Sequence, residues 1–478
     1  MHDHSIAIVG AGPTGLLLAS ELALAGVDVV VIERRADSGL NGPRAGGLLP
    51  RTLEHLDQRG IADRFTAAGA RSNHFEFAGV PLDMTVMPTR YNYILSLRQI
   101  HVERILNDRL TEQRVPVMWG CEVTGLTQTS DAVELRLANG AGLRAAYVVG
   151  CDGGRSTVRK LAGIEFPGTE PSTSNLIAEA KLTQDAPLGI VRDARGIRGI
   201  GKVEDDRMRI MLTERSLEAS GPPTLDDLRA ELSAAYGSDF GVHDAVWISR
   251  FTDATRQAAK YREGRVFLAG DAAHVHPPDG GQGVQTGMQD AMNLGWKLAQ
   301  VTTGISPDSL LDTYHAERHP VAARVLRNSK VFVTLRREDD RTQALKGVFA
   351  ELLSAPETRD RVTAMLAGLD IRYDFGAGHA LLGRRMPDLE LTVAGEATRV
   401  YTLMHDARPL LLHRAPGLDT TRCPARVKAI EARYEGAADA VLIPPDGYVA
   451  WSADASTEGL DTACREWFGA AARFEMPV

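Results

Sequence analysis

Cysteine is scarce in this chain. Only Cys121, Cys151, Cys423 and Cys464 occur in 478 residues, with neither paired spacing nor Cys-x-x-Cys, which argues against a disulfide framework or a thiolate zinc site and fits a reduced, cytoplasmic compartment. Long apolar runs are missing as well. The most apolar stretch, 16–19, is broken by Glu21, and the amino terminus enters a strand within its first five residues, so neither a membrane span nor a signal peptide is expected. A basic excess is also absent. The formal net charge of -8 offers no footprint for nucleic acid, and no internal repeat is present. With 44% hydrophobic and 24% charged residues, the composition is that of a globular chain of two to four domains.

What is there begins with a βαβ unit. A strand is expected over 6–9, a turn Gly10-Ala11-Gly12-Pro13-Thr14-Gly15, a helix over 16–25 and a strand over 27–32 that ends at Glu33. Gly10 permits the tight turn, Gly12 lets backbone approach a pyrophosphate, Gly15 permits close helix packing, and Glu33 accepts from a ribose. A short apolar run at 266–269 reads as a buried strand, with Gly270 and Asp271 at its carboxyl end, where ligands of open α/β sheets bind. An irregular loop with Pro277-Pro278 and Gly280-Gly281 leads into a helix carrying Gly287, Ala291, Leu294, Leu298 and Ala299 at helical spacing. The free N–H groups of that helix, near Gly283, favour an anion.

Between these ends the loop 39–50 has four glycines, two prolines and one charge, Arg44, and is expected to lie near the cofactor. Segment 71–97 carries Phe75, Phe77, Tyr91 and Tyr93, and a helix follows over 99–110. Strands at 115–118, 122–126 and 133–137 lead through the hairpin signal Asn139-Gly140 into 143–149, which ends at Asp152, with Ser156 and Thr157 placed to cap a helix. Residues 172–262 read as a separate mixed sheet, with strands at 176–180, 195–202, 207–213 and 245–250 and a helix at 225–235. Helices follow after 310, then a linker at 376–387. A small α/β domain completes the chain, with strands at 400–403, 410–413, 441–443 and 448–451. His274 with His276, and His315 with His319, lack a third ligand in sequence, so no metal is expected. Arg198 and Arg209, on adjacent strands around Glu204-Asp205-Asp206, are candidates to meet a phenolate or quinone oxygen.

The glycine turn with Glu33, the Asp152-Gly153 turn and Gly270-Asp271-Ala-Ala-His followed by Gly-Gly-Gln-Gly together resemble the class A flavoprotein aromatic hydroxylases typified by para-hydroxybenzoate hydroxylase. The likeness extends to the polyketide hydroxylase and rifampicin monooxygenase group and covers essentially the whole chain. It implies an α/β architecture: a Rossmann-like FAD-binding domain (1–70, 98–171 and 263–380), an interleaved mixed-sheet substrate domain (71–97 and 172–262) and a C-terminal thioredoxin-like domain (381–478). It implies that Gly10, Gly12, Pro13, Thr14, Gly15 and Glu33 hold the ADP half of FAD, and that Arg34, Arg44, Gln99, Val123 and Asp152 contact the cofactor. Asp271 then binds the ribityl chain, with Pro277, Gly281, Gln282, Gly283 and Val284 at the flavin end.

The resemblance further implies that NADPH or NADH reduces FAD and that a C4a-hydroperoxide passes one atom of dioxygen to an aromatic ring. No side chain is obligatory as a base; the candidates are Arg44, Arg198 and Arg209. Two positions depart from the family pattern: Val284-Gln285 replaces Leu-Asn, and Gly46 follows Arg44 in a segment that is often more basic. The Trp-x-Trp-x-Ile-Pro motif of related halogenases is absent. With Cys423 and Cys464 41 positions apart, dithiol chemistry in the last domain is not expected. The expected ligand is a large polycyclic phenol, naphthoquinone or ansamycin bound between 71–97 and 176–213, by a monomer or homodimer. Baeyer–Villiger oxygenation and drug sequestration with little turnover are the alternatives.

Overall fold

Ile6 to Val9, Val29–Ile32 and Val266–Leu268 are apolar at every position, the pattern of strands covered on both faces, and all are buried. The computed structural model describes residues 2–469 apart from 40–44, 74, 194–195, 204–205, 218–220, 415, 417, 422 and 455. It sets these strands in one parallel stack, ordered Val266–Leu268, Gly142–Gly150, His4–Val9, Val29–Ile32, Val117–Met118. Ile8 lies in register with both Val149 and Val31, and Val149 with Phe267. Parallel strands share one carboxyl edge. Gly10, Glu33, Asp152 and Asp271 all lie just past it, at the crevice where such sheets bind ligands. The hairpin expected at Asn139-Gly140 forms, with Gly140 at φ 85° and Arg136 opposite Gly142.

Two helices cover this sheet at the crevice, Pro13–Leu24 and Gly283–Thr302. Small residues let them approach: a Cβ on Gly287 would stand 2.4 Å from Thr14 Oγ1, and one on Gly295 2.8 Å from the Glu21 Cβ.

The segment from 174 to 252 forms a five-stranded antiparallel sheet in the order Gly189–Asp193, Gly196–Lys202, Met208–Thr213, Ser174–Lys181, His243–Thr252. Its period-2 alternation separates two faces. Ala178, Ala180, Ile200, Ile210 and Leu212 pack on Leu228 and Leu232 of the helix Leu225–Tyr236. Glu179, in register with Arg209 and Trp247, occupies the opposite face.

Segment 71–97 does not join that sheet. Gly47–Leu48 and Ala70–Ser72 pair on either side of Ile94–Ser96 beside the cofactor domain. The hairpin Phe75–Phe77 and Val80–Leu82 packs Phe77 and Leu82 against Leu335, Leu353 and Leu366 of the helical region instead. Short apolar runs read equally well as strand or helix, and the strand expected at 400–403 is such a case: Thr402–Met404 is a turn of 3-10 helix after the hairpin Glu390–Val393 and Glu396–Arg399. The C-terminal sheet runs Lys428–Glu431, Leu410–His413, Ala440–Ile443, Trp451–Ala453, and the helix Leu460–Phe468 follows. Among the described residues no helix is long and apolar enough to cross a membrane.

Candidate functional site

The glycine turn is built by contact distances. Gly10 holds φ 111°, open to glycine alone at low cost, and a Cβ there would lie 2.4 Å from the Cys151 carbonyl oxygen. Gly15 is pressed against Gly10, 2.0 Å from a built Cβ to the Gly10 oxygen. Gly12 faces open space, with nothing within 4 Å. It is also the N-cap of Pro13–Leu24 and supplies no side-chain cap, so the helix presents free N–H groups into that space. A pyrophosphate fits such a seat. Glu33 closes the turn: its carboxylate accepts from Ala11 N at 2.7 Å and Arg35 N at 2.9 Å. Arg34 is exposed. Its neighbour Arg35, which sequence reasoning missed, reaches the Ala11 carbonyl at 2.7 Å and Glu103 at 2.9 Å and lies over the Trp119 ring.

Past the end of Val266–Leu268, Asp271 lies exposed on a single 3-10 turn, Gly270–Ala272. Gly270 is at φ 60°, and its backbone N–H donates to the Asp290 carboxylate at 3.1 Å. Asp290 belongs to Gly283–Thr302, is fully buried, and also accepts from Arg318 Nε at 2.8 Å and pairs with His274 Nε2 at 2.7 Å. Burial pushes this carboxyl up, yet Arg318 and His274 outweigh burial and hold it below the ordinary carboxylate range. The turn that carries Asp271 is thus bolted to the helix Gly283–Thr302. Only the separate residues Asp290 and Arg318 were visible in sequence; their meeting requires the fold.

Gly281 is exposed and Gly283 and Val284 are half-buried at the start of the helix, whereas Gln285 to Gln300 are buried. Pro277 is buried, its carbonyl 2.8 Å from His276 Nδ1, and Gln282 donates from Nε2 to the Leu366 carbonyl. Gln285, at the departure from the family pattern, donates to the Gly47 carbonyl at 2.8 Å and accepts from Leu49 N at 3.2 Å. Gln99 accepts from Ala45 N at 3.3 Å, which ties the helix Gln99–Glu112 to the loop end. Arg44 falls outside the described residues. Val123 is a buried core residue opening the strand Val123–Gln128.

Asp152 differs from Asp271. Its carboxylate accepts from Thr157 N at 2.6 Å, Val158 N at 3.1 Å and the Ser156 hydroxyl, so it caps the helix Thr157–Leu161. The two candidate arginines also part company. Arg198 lies on the helix-covered face, over the Tyr236 ring and donating to the Ala235 carbonyl. Arg209 lies on the other face, held by Glu179 at 2.6 Å, and Arg98 reaches the same carboxylate at 2.8 Å from the cofactor domain. Glu204 and Asp205 fall outside the described residues. His315 and His319 stack with centroids 4.7 Å apart beside Tyr261.

A family model described as an FAD binding domain matches residues 3–329, and one described as the C-terminal domain of aromatic-ring hydroxylases matches 379–471. The chain belongs to the FAD-dependent aromatic-ring hydroxylases. A rifampicin monooxygenase of Streptomyces venezuelae is 42% identical to this hydroxylase over 98% of the chain and 99% of the relative. The anhydrotetracycline hydroxylase structure from Streptomyces rimosus superposes with a TM-score of 0.92 at 41% identity, covering 98% and 100%. An aromatic hydroxylase from angucycline biosynthesis gives 0.91 at 39%, with the same coverage.

In this hydroxylase Asp271 is exposed at the carboxyl edge of the sheet, and the polyol role expected of it is open to test. Asp271→Ala should weaken FAD binding by roughly 1.5–3 kcal/mol, about ten- to hundred-fold. Titration of the apoprotein with FAD measures this, and unchanged affinity would remove Asp271 from the site.

The C-terminal domain is anchored on the helix Gly283–Thr302 and on the segment 50–59. Asn293 donates to Asp446 Oδ2 at 2.9 Å, and Arg51 and Arg59 donate to the carbonyls of Asp446 and Pro445 at 2.9 and 2.7 Å, while Lys297 pairs with Glu317 of the neighbouring helix at 2.7 Å. Burial, with Glu317 beside it, pushes the Asp446 carboxyl up to about 6. An unfolded aspartate titrates near ~3.9, so the folded state favours the protonated acid. That stabilisation is complete below about pH 4 and is lost as pH rises through about 6. Asp446→Asn, neutral throughout, should therefore gain on the parent in thermal melts as pH rises from about 4 to about 6 and keep that gain above it. A pH-independent offset would contradict the assignment.

Proposed function

We propose that this hydroxylase consumes NADPH or NADH and hydroxylates a large polycyclic aromatic, of the polyketide, naphthoquinone or ansamycin type. The observation that carries the reading is full-length likeness to monooxygenases named for rifampicin and anhydrotetracycline, two large multi-ring compounds. The inner face of the five-stranded sheet agrees with it. Arg98 and Arg209 are already held there by Glu179, so apolar burial and shape, at about 25 cal/mol per Å², dominate selection over a clamp for a small acid.

Bound FAD supplies the redox chemistry, passing reducing equivalents from the nicotinamide to dioxygen and one oxygen atom to the ring. The protein supplies position and electrostatics. Asp271 and the Gly12 seat hold the two halves of the cofactor, and the amino terminus of Gly283–Thr302 stabilises negative charge on the reduced pyrimidine. The sheet and the loop before Gly283 exclude water.

The test is a panel of para-hydroxybenzoate and phenol beside anthracyclines, angucyclines, tetracyclines and rifamycins, run under labelled dioxygen with NADPH use followed in parallel. One labelled atom on a polycyclic ring, with nicotinamide oxidation stimulated by that ligand, is the expected result. Tight coupling with the single-ring phenols alone overturns the substrate class. Oxygen inserted beside a ketone identifies Baeyer–Villiger chemistry, and binding without turnover identifies a sequestering protein.

A further inference from the structure

Cys423 and Cys464, far apart in sequence, meet in the C-terminal domain. Both thiols are free, both belong to one apolar cluster, and they are hydrogen-bonded to each other. Sequence spacing argued against dithiol chemistry; the fold removes that objection, because a disulfide requires sulfur-to-sulfur approach and not neighbouring positions. Cys423, in the loop before Lys428–Glu431, keeps 8% of its surface exposed, whereas Cys464 on the helix Leu460–Phe468 keeps none. The Cys464 hydrogen bond draws the Cys423 thiol below its ordinary value, and the same bond pushes Cys464 up. A thiol that keeps some exposure beside a fully buried partner is the arrangement of an attacking and a resolving cysteine. Cys151 makes a contrast, since burial pushes its thiol up and no second cysteine is its partner.

We propose that Cys423 and Cys464 are a peroxide-oxidisable dithiol, whose disulfide fastens the terminal helix, packed on the helix Gly283–Thr302, to the loop that carries Cys423. The Cys423 thiolate attacks hydrogen peroxide. A sulfur–oxygen bond forms, the oxygen–oxygen bond breaks, and hydroxide leaves and takes up a proton as water. The Cys464 thiol then attacks the sulfenic sulfur; the disulfide forms, the sulfur–oxygen bond breaks, and a second water leaves. Two thiols are oxidised and one peroxide is reduced. A flavin monooxygenase releases hydrogen peroxide itself whenever dioxygen is reduced without transfer to a substrate. The link to the flavin site is direct: Trp467 and Phe468, one turn beyond Cys464, pack their rings on Trp296 of that helix with centroids 6.3 and 6.0 Å away.

The experiment treats FAD-loaded, full-length protein with added hydrogen peroxide, so it does not depend on substrate or turnover and its failure is separate from that of the proposed function. After denaturation and alkylation, two of the four thiols should be lost, with a mass two hydrogens lower and a Cys423–Cys464 linked peptide on digestion. The oxidised protein should melt several degrees higher and show altered tryptophan fluorescence, both reversed by dithiothreitol. In Cys464→Ser, oxidation should stop at a sulfenic acid on Cys423, captured by a dimedone probe. Four surviving thiols, or a linkage through Cys121 or Cys151, would overturn the proposal, as would a sulfenic acid elsewhere in Cys464→Ser. If that variant does not fold, the mass and peptide map of the unmodified chain decide alone.

Discussion

Alanine at position 15 should leave the chain unable to retain FAD. The added Cβ would meet the Gly10 carbonyl oxygen at 2.0 Å, a backbone atom fixed in turn by Gly10 against Cys151, so no side chain can rotate away. The helix Pro13–Leu24 must shift off the sheet, taking its free N–H groups with it, at a cost of about 1–3 kcal/mol or more. Gly12→Ala is the informative control. Nothing of the protein stands within 4 Å of that position, so its apoprotein should melt with the parent while FAD affinity falls, because the methyl fills the space reserved for the phosphates. Melting curves of the two apoproteins, together with FAD titrations, separate the cases. If Gly12→Ala bound FAD as tightly as the parent, the pyrophosphate would sit elsewhere.

A comparably large effect is expected at Asp290. Asp290→Ala strands the guanidinium of Arg318, fully buried, and frees both His274 and the Gly270 N–H. Breaking a buried pair from one side costs about 3–5 kcal/mol, whereas removing both charges costs far less. Asp290→Leu combined with Arg318→Met should accordingly recover much of the stability lost by the single variant. It should not recover FAD affinity, since the Gly270 N–H that sets the Asp271 turn stays unpaired. Denaturant melts and FAD titration of the three proteins measure both quantities. A single variant within about 1 kcal/mol of the parent would mean that the charges are solvated and the turn is held by other contacts.

The cofactor half of this site was legible in the sequence because each of its parts is local. Gly10, Gly12, Gly15 and Glu33 act within one βαβ unit, and the apolar runs on either side announce the strands that carry them. The strands at 176–180, 207–213 and 245–250 were legible for the same reason, each falling inside an observed strand or extending one by a single residue. What stayed hidden depends on partners distant in the chain. The face that Arg198 takes is fixed by a register with Leu212, and the Asp152 carboxylate is engaged by the start of its own next helix. Arg35 outranks Arg34 only because Glu103 and Trp119 come to meet it. Segment 71–97 looked like part of the substrate sheet because its aromatics suit either neighbour; the pairing with Gly47–Leu48 decides.

The cofactor sheet takes one of its inner strands from late in the chain: Val266–Leu268 lies beside Gly142–Gly150, with the whole five-stranded sheet made in between. A nascent chain therefore carries the end of that strand, from Val148 to Gly150, with an open edge for the entire time that the second sheet is being synthesised. Asp271 and the flavin helix emerge only after that. On the placement proposed for FAD, its ADP half can be captured early, whereas the isoalloxazine end has nowhere to dock until the ribosome has passed residue 302. Pairings of such long separation are slow and leave edges prone to aggregation while they wait. FAD supplied during refolding should thus quicken the last kinetic phase and leave the first unchanged.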